Sequence, residues 1–115
     1  MNYEKLAVWQ RAVGLSADIY AETKHLNDFG FRDQLTRSGL SVPSNIAEGM
    51  TRSSHKEKIR FLDISRASLA EAKTQIIIGL KINYLSKNKA EVWLQETDEL
   101  SAMITGLMNK LKASS

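Results

Sequence analysis

The stretch FLDISRASLAEAKTQIIIG, from Phe61 to Gly79, carries the fold in its spacing. Leu62, Leu69 and Ile76 recur every seven residues, and so do Ser65, Ala72 and Gly79. Seven residues make nearly two turns of an α-helix, so the two rows lie side by side on one face. One row is large and the other small, which lets a second helix approach closely. Just upstream, Ser54 and Glu57 have capping-box spacing and start this helix. It is predicted to run to about Tyr84.

Three more helices read outward from this one. Before it, a helix from about Phe31 to Met50 places Phe31, Leu35, Ser38, Val42, Ile46 and Gly49 on one face. The cluster Asn27, Asp28, Phe29 and Gly30 precedes it as a turn. A first helix from Tyr3 or Glu4 to Lys24 carries the stripe Leu6, Trp9, Val13, Ser16, Ile19 with Tyr20, and Thr23. After Tyr84, Asn88 and Glu91 repeat the capping-box spacing and open a fourth helix. Its stripe is Trp93, Thr97, Leu100, Ile104, Leu107 and Leu111. Four long helices with short connections predict an all-α fold, an up-down-up-down antiparallel four-helix bundle formed as one domain over residues 1–115.

The chain of 115 residues is 43% hydrophobic and 25% charged, ordinary values for a globular domain that needs no disulfide or metal to fold. Without cysteine, thiol chemistry and zinc knuckles are excluded. The longest aliphatic run, Ile76 to Ile78 with Gly79 and Leu80, is too short to span a bilayer, and the start lacks the apolar segment of a signal peptide. The expectation is a cytoplasmic protein with no membrane partner.

Catalytic constellations are hard to find. Glu22 and His25 have the Glu-x-x-His spacing of di-iron bundles, but it occurs once, and His55 has no glutamate three residues before it. The pair reads as a solvated helix end. There is no Gly-x-Ser-x-Gly elbow and no phosphate loop. The expectation is a non-enzyme with no metal and no cofactor.

Net charge is +3, and residues 50–60 hold four cations against one anion. Arg52, Lys56 and Arg60 lie four apart; Lys58 and Arg66 extend the field, with Arg32 and Arg37 of the second helix as further candidates. Cations so spaced follow phosphates. No aromatic interleaves with them except Phe61, which belongs to the core pattern, so binding to nucleic acid is expected to be backbone-driven and weakly sequence-specific. The bland alternative is a solvated face paired with Glu57 and Asp63.

The remaining feature is Ser41-Val42-Pro43-Ser44-Asn45-Ile46-Ala47-Glu48-Gly49. Proline inside a helix removes a donor and crowds the carbonyl four residues back, here that of Gly39, where some room is left. Asn45 and Glu48 are expected to satisfy polar groups around the irregularity, rather than to form a polar site with Ser41 and Ser44. This motif, with Val8-Trp9-Gln10-Arg11-Ala12, Ile19-Tyr20, Phe29-Gly30-Phe31-Arg32-Asp33-Gln34-Leu35-Thr36-Arg37-Ser38, and Phe61 to Glu71, resembles the family of four-helix proteins encoded in intervening sequences of bacterial 23S ribosomal RNA genes. In that resemblance Pro43, Asn45, Ala47, Glu48 and Gly49 are structural motif positions, although Val42 stands where isoleucine is more usual. The family includes the accessory variability determinant of diversity-generating retroelements, a five-fold ring that binds nucleic acid with a reverse transcriptase. The resemblance therefore implies a homopentamer with a basic surface, partnered by itself, by RNA or DNA, and by another protein such as a nucleic-acid enzyme.

Apolar residues outside the stripes agree with self-association. Ile59, Ile64, Ile77, Ile78, Ile82, Val92, Leu94, Met103, Met108, Val8 and Leu15 do not all fit one bundle seam. The alternative function is a protein-interaction scaffold or adaptor that binds no nucleic acid.

Overall fold

The computed structural model describes residues 2–114. A 3₁₀ turn, Tyr3–Lys5, precedes α1 (Ala7–Thr23), α2 (Phe29–Met50), α3 (His55–Lys81) and α4 (Lys87–Ala113). The helices form an elongated bundle of 46 × 20 × 20 Å. Packing is most extensive between α2 and α3 and least between α1 and α4.

The α3 pattern is realised in full: Leu62, Ser65, Leu69, Ala72, Ile76 and Gly79 are all buried. Gly79 accepts the tip of Phe31 and the side chain of Leu85 so closely that a Cβ would lie 2.8 Å from Leu85 Cδ1. Ser54 Oγ accepts from Glu57 N, as its spacing requires. At the far end α3 stops at Lys81 rather than near Tyr84. Asn83 adopts φ 63°, Tyr84 N donates to Gly79 O and Asn83 N to Leu80 O, the paired bonds of a Schellman end.

Other boundaries shift for local reasons. Asp28 Oδ1 accepts from Phe31 N, so α2 starts at Phe29 and takes in half of the expected turn cluster. Ser86, not Asn88, caps α4, by accepting from Lys89 N. The first helix is not continuous from Tyr3: Leu6 is extended (φ −72°, ψ 126°) and separates the 3₁₀ turn from α1.

The buried face of α1 differs in part from its apolar stripe. Its buried residues are Val8, Ala12, Leu15, Ser16, Ile19 and Thr23, whereas Val13 and Tyr20 are exposed. Val8, Leu15 and Met108, expected as surplus, belong to the core; Ile59, Ile77, Leu94 and Met103 are half-buried. Ile64, Ile78, Ile82 and Val92 do remain exposed. Trp93 is the largest fully buried side chain and donates through Nε1 to Asp18 Oδ2 at 2.7 Å, joining α4 to α1.

Pro43 is buried within a helix that continues past it to Met50. Asn45 Nδ2 donates to both Ser41 O and Ser41 Oγ, and Ser41 Oγ contacts Ser68 Oγ at 2.8 Å. Ser65 Oγ donates to Val42 O from α3. The motif's polar residues thus tie α2 to itself and to α3, while Glu48 pairs with Arg52.

Candidate nucleic-acid interface

Antiparallel packing brings the end of α2, the start of α3 and the end of α4 to one tip of the rod. Gly49 makes the corner possible. A Cβ there would meet Phe61 Cβ at 2.8 Å and the Lys58 carbonyl at 3.3 Å, so α2 and α3 touch almost backbone to backbone. Phe61 is buried, yet its ring carries two guanidinium groups, Arg52 at 4.6 Å and Arg60 at 4.5 Å from the centroid. Such contacts are favourable and fix the guanidinium planes.

Each arginine also holds a carboxylate. Arg52 pairs with Glu48 at 3.0 Å, Arg60 with Glu57 at 3.0 Å, and Arg66 with Asp63 at 2.7 Å. The Arg60 hydrogen bond holds the Glu57 carboxyl below its ordinary range, helped by the charges of Arg52 and Lys56, and Glu57 in turn raises Arg60. These pairs orient the cations without cancelling them. Residues 48–66 and 110–112 contain seven cations (Arg52, Lys56, Lys58, Arg60, Arg66, Lys110, Lys112) and three anions (Glu48, Glu57, Asp63), a net of +4. The other nine cations face ten anions, a net of −1. The protein's whole positive excess therefore sits at this tip.

The expected site residues divide by position. Arg52, Lys56 and Arg60 lie together at the tip, and Arg66 lines the same side of α3 further along the helix. Lys58 is at the tip too, but its Nζ donates to the carbonyls of Met50 and Arg52 and closes the end of α2. Arg32 lies in the first turn of α2, at the opposite end of the rod, where it stacks on Phe29 and donates to Lys24 O. Arg37 is exposed further along α2, between the two ends. Neither joins the cluster.

Lys110 and Lys112 were missed by sequence reasoning. They close the last turn of α4, where cations suit the helix dipole, and the topology delivers them to the start of α3. Between those helices lies a groove of about 400 Å³ lined by four cations (Lys56, Arg60, Arg66 and Lys112), two carboxylates (Glu57 and Asp63), Ile59 and Met108.

A second groove of about 400 Å³ runs between α1 and α2 and is of opposite character. It is lined by Tyr3, Trp9, Val13, Tyr20, Leu40 and Pro43, with Ser16, Ala17, Ser44 and Ala47, and bears no charge. Among the described residues, no group of three or more His, Asp or Glu is placed to hold a metal ion. Glu22 instead approaches Lys89 at 3.6 Å, and His25 is exposed beyond the end of α1. Among the described residues, no helix is long and apolar enough to cross a membrane.

Residues 4–106 match the family described as 23S rRNA-intervening sequence protein. The chain belongs to that family. Its fold is shared by a crystal structure from Bacteroides thetaiotaomicron VPI-5482, of a protein of unknown function in the S23 ribosomal protein family. The two superpose with a TM-score of 0.83 at 19% identity, over 89% of this chain and 98% of the other. No curated protein matches the sequence.

Proposed function

We propose that this family member is a non-catalytic, cytoplasmic, homopentameric bundle that binds nucleic acid through the basic tip. The observation that carries the reading is the confinement of the positive excess to one end. A compact cationic cluster releases counterions from a phosphate backbone, and symmetric copies of it multiply the local potential. Contacts of this kind read charge, so sequence specificity is weak. The family's 23S rRNA connection makes RNA the first ligand to test.

The test is a titration against RNA and DNA at two salt concentrations. Binding that weakens steeply with salt is expected, and Lys56→Glu with Arg60→Glu abolishes it while the helical signal by circular dichroism is retained. No binding at low salt overturns the reading. Self-association draws on the exposed Val13, Tyr20, Leu40, Ile64, Ile78, Ile82 and Val92. Light scattering at micromolar concentration is expected to give about five times the protomer mass, and a stable monomer refutes the ring.

A second reading, a protein-interaction scaffold or adaptor, is favoured by the uncharged groove between α1 and α2. It predicts one protein partner held in the presence of nuclease, with Leu40→Glu disrupting the complex and Lys56→Glu leaving it intact.

A further inference from the structure

We infer that the groove between the start of α3 and the end of α4 holds an unpaired nucleotide, so that the tip prefers single-stranded to double-stranded nucleic acid. The inference rests on the nucleic-acid reading above and narrows its ligand class.

Charge alone would suit any polyanion. The groove adds something a duplex cannot use. Ile59 is half-buried and Met108 is only 3% exposed, and both line the cavity beside Lys56, Arg60, Arg66 and Lys112, whose charge outnumbers that of the lining carboxylates Glu57 and Asp63. Apolar surface next to cations matches a base beside its own phosphate. In a duplex the flat faces of the bases are stacked inside, and only phosphates and base edges reach a protein. An unpaired base exposes its face to aliphatic carbons such as those of Ile59.

Size gives the same answer. A cavity of about 400 Å³ falls in the range of small-ligand pockets, roughly 300–1,000 Å³. That volume matches a single nucleotide, whereas a base-paired nucleotide keeps the face of its base inside the stack. Arg60 completes the site. Its guanidinium lies 4.5 Å from the centroid of the Phe61 ring and is bonded to Glu57, while its side chain remains 56% exposed. A guanidinium plane fixed in this way is a stacking platform for a base. Arg66, on the same helix, is bonded to Asp63 and to Thr105 Oγ1 of α4 at 3.0 Å, a second oriented guanidinium. Lys56 stands exposed and makes no hydrogen bond or ion pair among the described residues, which leaves it for phosphate.

The experiment compares the intact protein's affinity, by fluorescence anisotropy at one salt concentration, for a labelled unstructured RNA of about a dozen nucleotides and for a hairpin duplex of the same composition. The single strand is expected to bind roughly tenfold more tightly, a ratio within reach of one stacked base. Ile59→Ser and Arg60→Lys each remove that preference, Arg60→Lys because it keeps the charge and loses the plane. Lys56→Glu weakens both ligands alike. Arg60 is on the surface, so its variant remains informative if Ile59→Ser fails to fold. Equal or tighter duplex binding overturns the inference while the broader nucleic-acid reading stands. Failure to bind either ligand overturns both.

Discussion

At the scale of single residues, the glycines of α2 show how sequence sets the packing distance. Gly39 and Gly49 both face neighbouring helices, but what they face differs. A Cβ at Gly39 would meet the flexible end of Ile19 at 3.2 Å, and one at Gly49 would meet Phe61 Cβ and backbone. Alanine gains about 1 kcal/mol of helix propensity over glycine. Gly39→Ala should therefore be close to neutral. Gly49→Ala and Gly39→Leu should each destabilise by about 1–3 kcal/mol, because an overpacked contact outweighs the propensity gain. Urea denaturation of the three variants checks this ordering. Asp18 is a comparable case in polar chemistry. It is the acceptor for the buried Trp93 Nε1, so Asp18→Ala leaves an indole donor unsatisfied and should cost about 1–3 kcal/mol, visible as a lower urea midpoint.

At the scale of the elements, the ends of the helices were harder to read than their faces. Repeats at Leu62, Leu69 and Ile76 marked the buried side of α3 correctly, since large residues at a fixed interval have one physical explanation. Its end depended on one residue. Asn83 takes a left-handed conformation that asparagine and glycine tolerate, and a pattern of apolar spacing carries no sign of that. Asn83→Val should strain the turn, lower the melting temperature and loosen the α3–α4 connection, which amide hydrogen exchange at residues 82–86 would register. Conversely α1 was misread because its exposed Val13 and Tyr20 are as apolar as its buried Val8 and Leu15. Apolar identity does not separate a core from a groove wall. Only the packing of α2 and α4 against α1 decides which side is inside.

The whole molecule decides what the basic residues amount to. Arg52, Lys56, Arg60 and Arg66 were legible because they follow one another along the chain. Lys112 was not, since nearly fifty residues separate it from Arg66 and only the return of α4 brings it back. The bundle topology itself was the available signal: in an up-down-up-down arrangement the last turn of α4 must flank the first turn of α3. Arg32 illustrates the opposite error, a cation on the right helix at the wrong end.

Electrostatics of the middle region make a further prediction. Arg11 donates to Glu96 and Glu99 and fastens α1 to α4, the least extensive contact in the bundle. Hydrogen bonds from Arg11 and Gln95 hold the Glu99 carboxyl below its ordinary value. A carboxylate with a depressed folded value contributes its full stabilisation above the ordinary carboxylate range of about 4.3 and loses it as pH falls through the lowered value. Melting temperatures of the native protein and Arg11→Ala should therefore differ at neutral pH and converge in acid. A gap that persists at low pH would mean that Arg11 acts through packing alone.

The separation of charge along the rod has one more consequence. With its surplus of four at one tip and a slight deficit over the remainder, the protein is a dipole laid along a 46 Å axis. A distant polyanion exerts a torque on such a particle before any atoms meet. Approach is then pole first, and the end that carries the groove between α3 and α4 leads the encounter. Added salt shortens the reach of that alignment to within about 10 Å, so productive collisions become rarer even where the contact itself is unchanged.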